Sequence, residues 1–155
     1  MLMHAPEARL AALRQQMKAQ GLDGFVIPIC DEHMSEYVGA YAQRLEWLTG
    51  FGGSAGTAVV LTDSAAIFVD GRYTLQVRDQ VDGRLYDYQS VPATSPAAWL
   101  IAQATAGARI GFDPWLHPQP WATATAKALQ AKGAELIPVE HNPVDAAWAD
   151  QPAPS

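Results

Sequence analysis

The chain has 155 residues, of which 49% are hydrophobic, and this is enough for one domain with a real core. Its net charge is −6 and it has no basic run, which argues against a nucleic-acid-binding surface. We expect a cytoplasmic protein, because no stretch is long and apolar enough to span a membrane, no signal peptide is apparent, and the single cysteine, Cys30, cannot form an internal disulfide.

Hydrophobic spacing and the positions of proline and glycine predict alternating helices and strands. Residues 1–5 are expected to form a flexible tail, residues 6–149 the domain, and residues 150–155 a linker to a following domain that is absent. The predicted helices cover residues 6–20, 43–48, 72–81, 96–105, 120–132 and 143–148, with a further short helix capped by Ser35. The predicted strands cover residues 25–29, 57–61, 65–69, 85–89, 109–113 and 135–139.

Residues 57–69 carry the clearest strand signal in the chain. Two short apolar runs, 57–61 and 65–69, are joined by Thr62-Asp63-Ser64, whose side chains favour a turn. Neither run alternates between apolar and polar residues, which indicates a sheet covered on both faces. The order of elements then predicts an α/β domain of three layers, with a mixed β-sheet flanked by helices.

Residues 70–73, with the sequence DGRY, follow the second of these strands. Asp70 is well placed to cap the next helix, and Arg72 falls in its first turn, where the positive helix terminus disfavours a cation. One interpretation is an ion pair between Arg72 and Asp70 or another nearby carboxylate. The other is an arginine that holds a carboxylate or a carbonyl of a ligand.

The loop after the first strand contains four residues of types that bind metals: Asp31, Glu32, His33 and Glu36. Acidic and imidazole side chains on a loop are more often solvated than assembled around an ion. We therefore do not predict a metal site within this chain.

The glycine-rich run at residues 52–56 has three possible interpretations. It lacks the lysine of a phosphate-binding loop, and a strand rather than a helix follows it. Ser54 fits the pattern of a nucleophile elbow, but that elbow requires the order strand, turn, helix. The preferred interpretation is a tight turn that needs positive φ angles.

Several other residues of chemical interest favour a structural role. Cys30 ends a strand and is interpreted as a small buried apolar group. His117 and His141 lie in loops without a visible partner in the sequence. The tryptophans are expected in the core or at a domain interface: Trp47, Trp99, Trp115, Trp121 and Trp148.

Four separated segments together resemble a known family. Residues 50–58 (GFGGSAGTA) and 70–73 (DGRY) resemble the N-terminal domain of Xaa-Pro aminopeptidases, or aminopeptidases P, of the three-domain type in the creatinase/prolidase family. Residues 31–37 and 142–148 fall where that family has similar segments. The resemblance covers roughly residues 7–152.

The resemblance implies a fold described as ribonuclease H-like. It also implies that Arg72 contacts the substrate and that Glu36 lies towards the active-site cleft, with Asp70 and Tyr73 supporting Arg72. It implies no catalytic residue, no metal ligand and no cofactor in this chain itself.

The whole enzyme implied by the resemblance is a metallopeptidase that hydrolyses peptides with proline at the second position. It would use two divalent metal ions, manganese or zinc, held by an absent C-terminal catalytic domain, and would act as a homodimer. This domain would complete the substrate cleft and support assembly. The alternative is a stand-alone protein-interaction module of a catalytically inactive relative.

Overall fold

The computed structural model describes residues 5–35 and 37–154. Within these ranges the chain forms six α-helices and six strands, with 3-10 turns at Ala40–Ala42 and Gly71–Tyr73. The helices are α1 (Pro6–Ala19), α2 (Arg44–Thr49), α3 (Thr74–Gln80), α4 (Pro96–Gln103), α5 (Gln119–Gln130) and α6 (Pro143–Ala147). The strands are β1 (Gly24–Pro28), β2 (Thr57–Leu61), β3 (Ala65–Val69), β4 (Asp87–Ser90), β5 (Arg109–Phe112) and β6 (Glu135–Pro138).

The six strands form one mixed sheet in the order β4-β3-β2-β1-β5-β6. Only β2 runs antiparallel to its neighbours, so the other five strands point the same way. Their carboxyl ends therefore meet at one edge of the sheet, where β2 begins. We call this edge the carboxyl edge and its opposite the amino edge.

The sheet is covered on both faces, as the two unalternating apolar runs predicted. Side chains of successive strand residues point to opposite faces. Phe25 and Ile27 accordingly join one buried cluster with α1, α2 and α6, while Val26 joins a second cluster with α4 and α5. All five residues of β3 are buried. The structure thus confirms the predicted three-layer α/β architecture.

The helix boundaries follow the capping residues read from the sequence. Ser95 accepts the backbone N–H of Ala98 at the start of α4, and Asn142 accepts that of Val144 at the start of α6. Gly21 ends α1 with a φ of +71°, a conformation that costs glycine little.

Three local predictions need correction. The run at residues 52–56 contains no positive φ; Gly50 has it instead, at +89°, where α2 ends. Strand β4 begins at Asp87 rather than at residue 85, because the backbone of residues 82–86 closes a turn onto the carbonyl of Asp82. The helix expected at Ser35 is replaced, in the described part of that loop, by a turn in which the Ser35 N–H donates to Asp31.

Helix α6 and the residue after it pack the C-terminal part of the domain against α2. Trp148, directly after α6, stacks on Trp47 of α2 with ring centroids 5.6 Å apart. In the same region, Nε of Arg44 donates to Oδ1 of Asp145 over 2.6 Å and Nη2 donates to Oδ2 over 3.0 Å. Only 8% of the Arg44 side chain is exposed, so this is a largely buried cation with a two-point partner.

Candidate functional site

The DGRY segment lies at the carboxyl edge, directly after β3. Asp70 caps the 3-10 turn Gly71–Tyr73 by accepting the N–H of Arg72 over 2.9 Å. The same carboxylate accepts Nε of Arg72 over 3.1 Å and Nη2 over 2.9 Å. Side-chain hydrogen bonds from the guanidinium, followed by the backbone N–H, hold the pKa of Asp70 below its usual range.

The ion pair between Arg72 and Asp70 matches the first interpretation of the sequence, yet it leaves some of the hydrogen-bond donors of Arg72 available. A guanidinium has five N–H donors, and the pair with Asp70 engages its Nε and Nη2 edge. The Arg72 side chain is 68% exposed, and none of the described residues accepts from its Nη1. Arg72 is therefore oriented by Asp70 while it keeps donors that face solvent.

The aromatic ring of Tyr73 packs against the guanidinium of Arg72. The Arg72 guanidinium lies over the Tyr73 ring, with Cζ 5.1 Å from the centroid. The ring in turn meets Phe51 edge-on, with centroids 5.6 Å apart and planes at 85°. The buried Phe51 thereby connects the exposed arginine to the core.

The Tyr73 hydroxyl forms a short hydrogen bond with the Ser54 hydroxyl. The hydrogen bond from the Ser54 side chain lowers the pKa of Tyr73. In the part of the chain that the structure describes, the partner of Ser54 is thus a phenol, and no imidazole is bonded to it. This arrangement ties the glycine-rich run to the DGRY segment and gives Ser54 a structural role.

The loop after β1 reaches the same edge and is organised around Asp31. This buried carboxylate accepts the N–H groups of His33 and Ser35 over 2.9 and 3.0 Å, and the Ser35 bond is the main cause of its lowered pKa. Glu32 accepts the Tyr41 hydroxyl over 2.5 Å, which raises the pKa of Tyr41 to about 12. Glu36, singled out from the sequence, lies outside the described residues.

Asp113, which directly follows β5, was not singled out from the sequence. It accepts the N–H of Trp115 over 3.0 Å and Nδ2 of Asn142 over 3.0 Å. Asp31, Asp70 and Asp113 thus share one arrangement: each follows a parallel strand at the carboxyl edge and accepts the N–H two residues ahead. An aspartate at the end of a predicted strand was the signal that could have revealed Asp113.

Exposed apolar side chains gather at this edge as well. In residues 5–35 and 37–154, the large hydrophobic side chains that are exposed all lie in connections that leave β1, β3 or β5 at their carboxyl ends. They are Met34, Tyr37, Leu75 and Trp115. Trp115 is 72% exposed, whereas the other four tryptophans are buried or partly buried. In sheets with parallel strands, ligands bind outside the carboxyl ends.

A cavity of about 720 Å³ opens between the loops that follow β1, β5 and β6. Glu32, Asp113 and Trp115 line it, together with the Arg44–Asp145 pair. Burial alone would lower the pKa of Arg44, but the hydrogen bonds and the charge of Asp145 more than offset this and raise it. Nη1 of Arg44 is buried and has no hydrogen-bond partner in the described structure.

The described residues contain no group of three His, Cys, Asp or Glu side chains placed to hold a metal ion. His33 pairs with Glu32 over 3.2 Å, and Asp31 is occupied by backbone N–H groups. Over the same ranges, no helix combines the length and the apolar character needed to cross a bilayer.

Comparison with known proteins identifies the family. The sequence profile of the creatinase/prolidase N-terminal domain matches residues 9–146. The chain therefore belongs to the creatinase/prolidase N-terminal domain family, and the resemblance found in residues 50–58 and 70–73 is confirmed.

Similar proteins of known sequence are named as Xaa-Pro aminopeptidases. Human Xaa-Pro aminopeptidase 2 is 41% identical over 145 residues, which are 94% of this chain and 22% of that protein. A protein of Aspergillus clavatus named "Probable Xaa-Pro aminopeptidase P" is 39% identical over 151 residues, which are 94% of this chain and 23% of that protein. The chain thus spans about a fifth of the length of these relatives.

Solved structures show the same fold. The X-prolyl aminopeptidase of Caenorhabditis elegans, described as a cytosolic enzyme with a di-nuclear active site, superposes with a TM-score of 0.90 at 30% identity, over 96% of this chain and 26% of that one. The N-terminal domain of the cytoplasmic peptidase PepQ from Mycobacterium tuberculosis superposes with a TM-score of 0.68 at 28% identity, over 90% of this chain and 98% of that one.

Proposed function

We propose that this domain is the non-catalytic N-terminal part of a metal-dependent Xaa-Pro aminopeptidase and that its carboxyl edge completes the substrate cleft. One observation carries the proposal: an exposed, pre-oriented arginine and a set of exposed apolar side chains converge at the same edge of the sheet. Peptides present carbonyl acceptors and apolar side chains together, and this edge offers matching groups.

Arg72 is the residue that we propose to contact the substrate. Its free donors would bind a carbonyl or carboxylate of a peptide that has proline at the second position. Asp70 and Tyr73 would position it, because one orients the guanidinium and the other supports its face. Glu36 remains proposed as a second substrate-binding residue on the loop after β1.

Hydrolysis itself is assigned to a C-terminal catalytic domain. The implied pair of divalent metal ions, manganese or zinc, would supply an activated water there. The described residues do not fit such a pair, since they contain no group of three His, Cys, Asp or Glu side chains placed to hold a metal ion. We therefore propose that the metal pair of the reaction lies outside this domain. The complete cytoplasmic enzyme is proposed to act as a dimer, with the domain also supporting assembly.

The exposed apolar side chains also favour a second candidate, a protein-interaction module in an inactive relative. Met34, Tyr37, Leu75 and Trp115 would then bind a partner protein rather than face a peptide in a cleft. The two candidates differ in the remainder of the protein: an enzyme keeps metal ligands in its catalytic domain, and an interaction module has lost them.

The first experiment determines the mass of the native protein by immunoblot against this domain, followed by assay of the purified protein with a proline-second peptide. The proposal predicts a band several-fold heavier than 16.7 kDa and hydrolysis that stops when the metal is chelated. A band at 16.7 kDa, or a heavier protein that does not cleave the peptide, would favour the interaction module.

A further inference from the structure

A second cavity at the carboxyl edge, of about 320 Å³, lies between the loop after β1 and the loop after β5. No charged side chain lines it. Its wall contains two sulfur atoms and an imidazole, from Cys30, Met34 and His117, and is otherwise mainly apolar, with Leu116 and Trp121 among its residues. We call it the sulfur–imidazole cavity.

The two sulfur atoms are adjacent. The Cys30 thiol lies 3.3 Å from Sδ of Met34 and 3.2 Å from the carbonyl oxygen of Asp31. Met34 is the one non-glycine residue with positive φ in the described ranges, at +54°. The loop thus holds a thioether beside a thiol in a backbone conformation that L-residues usually avoid.

His117 lines the same cavity and carries the third candidate donor. His117 is 9% exposed, and its Nε2 is buried without a hydrogen-bond partner in the described structure. The ring stacks on Trp121, with centroids 4.1 Å apart, which fixes its plane. A buried polar atom without a partner costs free energy, so a ligand bound at Nε2 would stabilise this position.

The chemistry of these donors selects the ion. Thiolate and thioether are soft ligands that favour Cu(I), and imidazole also suits copper. We propose that the sulfur–imidazole cavity binds one Cu(I) ion through Sγ of Cys30, Sδ of Met34 and Nε2 of His117. Binding releases the thiol proton to solvent and involves no change of oxidation state.

The thioether distinguishes Cu(I) from Zn(II). Zn(II) in proteins is bound by thiolate, imidazole and carboxylate, whereas the thioether of Met34 is a soft ligand that suits Cu(I). Zn(II) is therefore expected to bind more weakly than Cu(I) at this position.

The test is an anaerobic titration of the 155-residue chain with Cu(I), supplied as its acetonitrile complex and monitored by competition with bicinchoninate. Wild type should bind one equivalent. Cys30→Ser should abolish binding, and Met34→Leu and His117→Leu should each weaken it at least about tenfold. His141→Gln, at an exposed histidine of another loop, is the control and should bind like wild type.

X-ray absorption of the Cu(I)-loaded chain supplies a second measurement that does not depend on variants. The proposal predicts two sulfur scatterers and one nitrogen.

Met34 is nearly half exposed, so Met34→Leu should fold normally even if His117→Leu does not. Loss of binding in Cys30→Ser alone, with Met34→Leu equal to wild type, would indicate a lone surface thiol and overturn the proposal. Tighter binding of Zn(II) than of Cu(I) would also overturn it.

Discussion

Arg84 and Asp82 repeat, at the amino edge of the sheet, the hydrogen-bonded pair that Arg72 and Asp70 form at the carboxyl edge. In both Asp-Gly-Arg segments the arginine N–H donates to the aspartate over 2.9 Å, and Nε and Nη2 of the same arginine donate to its two oxygens. The local hydrogen bonding of Arg72 is therefore shared with Arg84. What distinguishes Arg72 is its position at the carboxyl edge and above the ring of Tyr73.

The Arg44–Asp145 pair is predicted to matter for stability. Asp145→Asn should lower the free energy of unfolding by about 2–3 kcal/mol, because it weakens the two-point partner of a largely buried guanidinium whose Nη1 already lacks one. Urea unfolding of the chain measures this. Asp150→Asn, at an exposed carboxylate nearby, is the control, and equal stability of the two variants would contradict the prediction.

Burial of His117 should make the fold sensitive to acid. Desolvation lowers the pKa of His117 from 6.5 to about 4, so the folded state disfavours protonation. The stability contribution is complete above pH 6.5 and falls as the pH approaches 4, by a total of about 3 kcal/mol.

The measurement is urea unfolding of wild type and His117→Phe across this pH range. Other carboxylates titrate in both proteins, so the difference between the two isolates the histidine. Wild type should lose more stability than the variant on acidification. Parallel pH profiles would show that His117 titrates normally.

Two glycines give a matched test of packing beneath Arg72. A Cβ at Gly53 would lie 2.3 Å from Cζ of Phe51 and 3.0 Å from Cδ1 of Tyr73, whereas a Cβ at Gly71 meets nothing within 4 Å. Gly53→Ala should destabilise the domain by roughly 1–3 kcal/mol. Gly71→Ala should stay within about 0.5 kcal/mol of wild type. Similar melting temperatures for the two variants would rule out the tight packing.

The parts of the fold that were predictable depend on neighbours in sequence. The hairpin of β2 and β3 and the caps at Asp70, Ser95 and Asn142 follow from local turn and capping chemistry, and all were confirmed. The ion pair of Arg72 with Asp70, one of the two interpretations of the sequence, is likewise a contact across two residues. Such contacts can be predicted from the sequence because they do not depend on residues that are distant along the chain.

The parts that were missed depend on the path of the chain. Arg44 and Asp145 are 101 positions apart, and Asn142 and Asp113 are 29 apart, so no local pattern pairs them. The glycine-rich run was misread because its constraint is space beside the Phe51 ring rather than backbone conformation. To predict that the exposed apolar residues gather at one edge, the order of the strands in the sheet would have to be known.

The most direct test of the proposed cleft compares Arg72→Ala with Arg84→Ala in the complete protein, with kcat/KM for a proline-second peptide as the readout. Removing a charge-assisted hydrogen bond to substrate should lower kcat/KM roughly 10-fold to 100-fold in Arg72→Ala. Arg84→Ala, which breaks the same local pair at the opposite edge, should leave it unchanged, and both variants should melt like wild type. Equal turnover in the two variants would remove Arg72 from the substrate site and contradict the account.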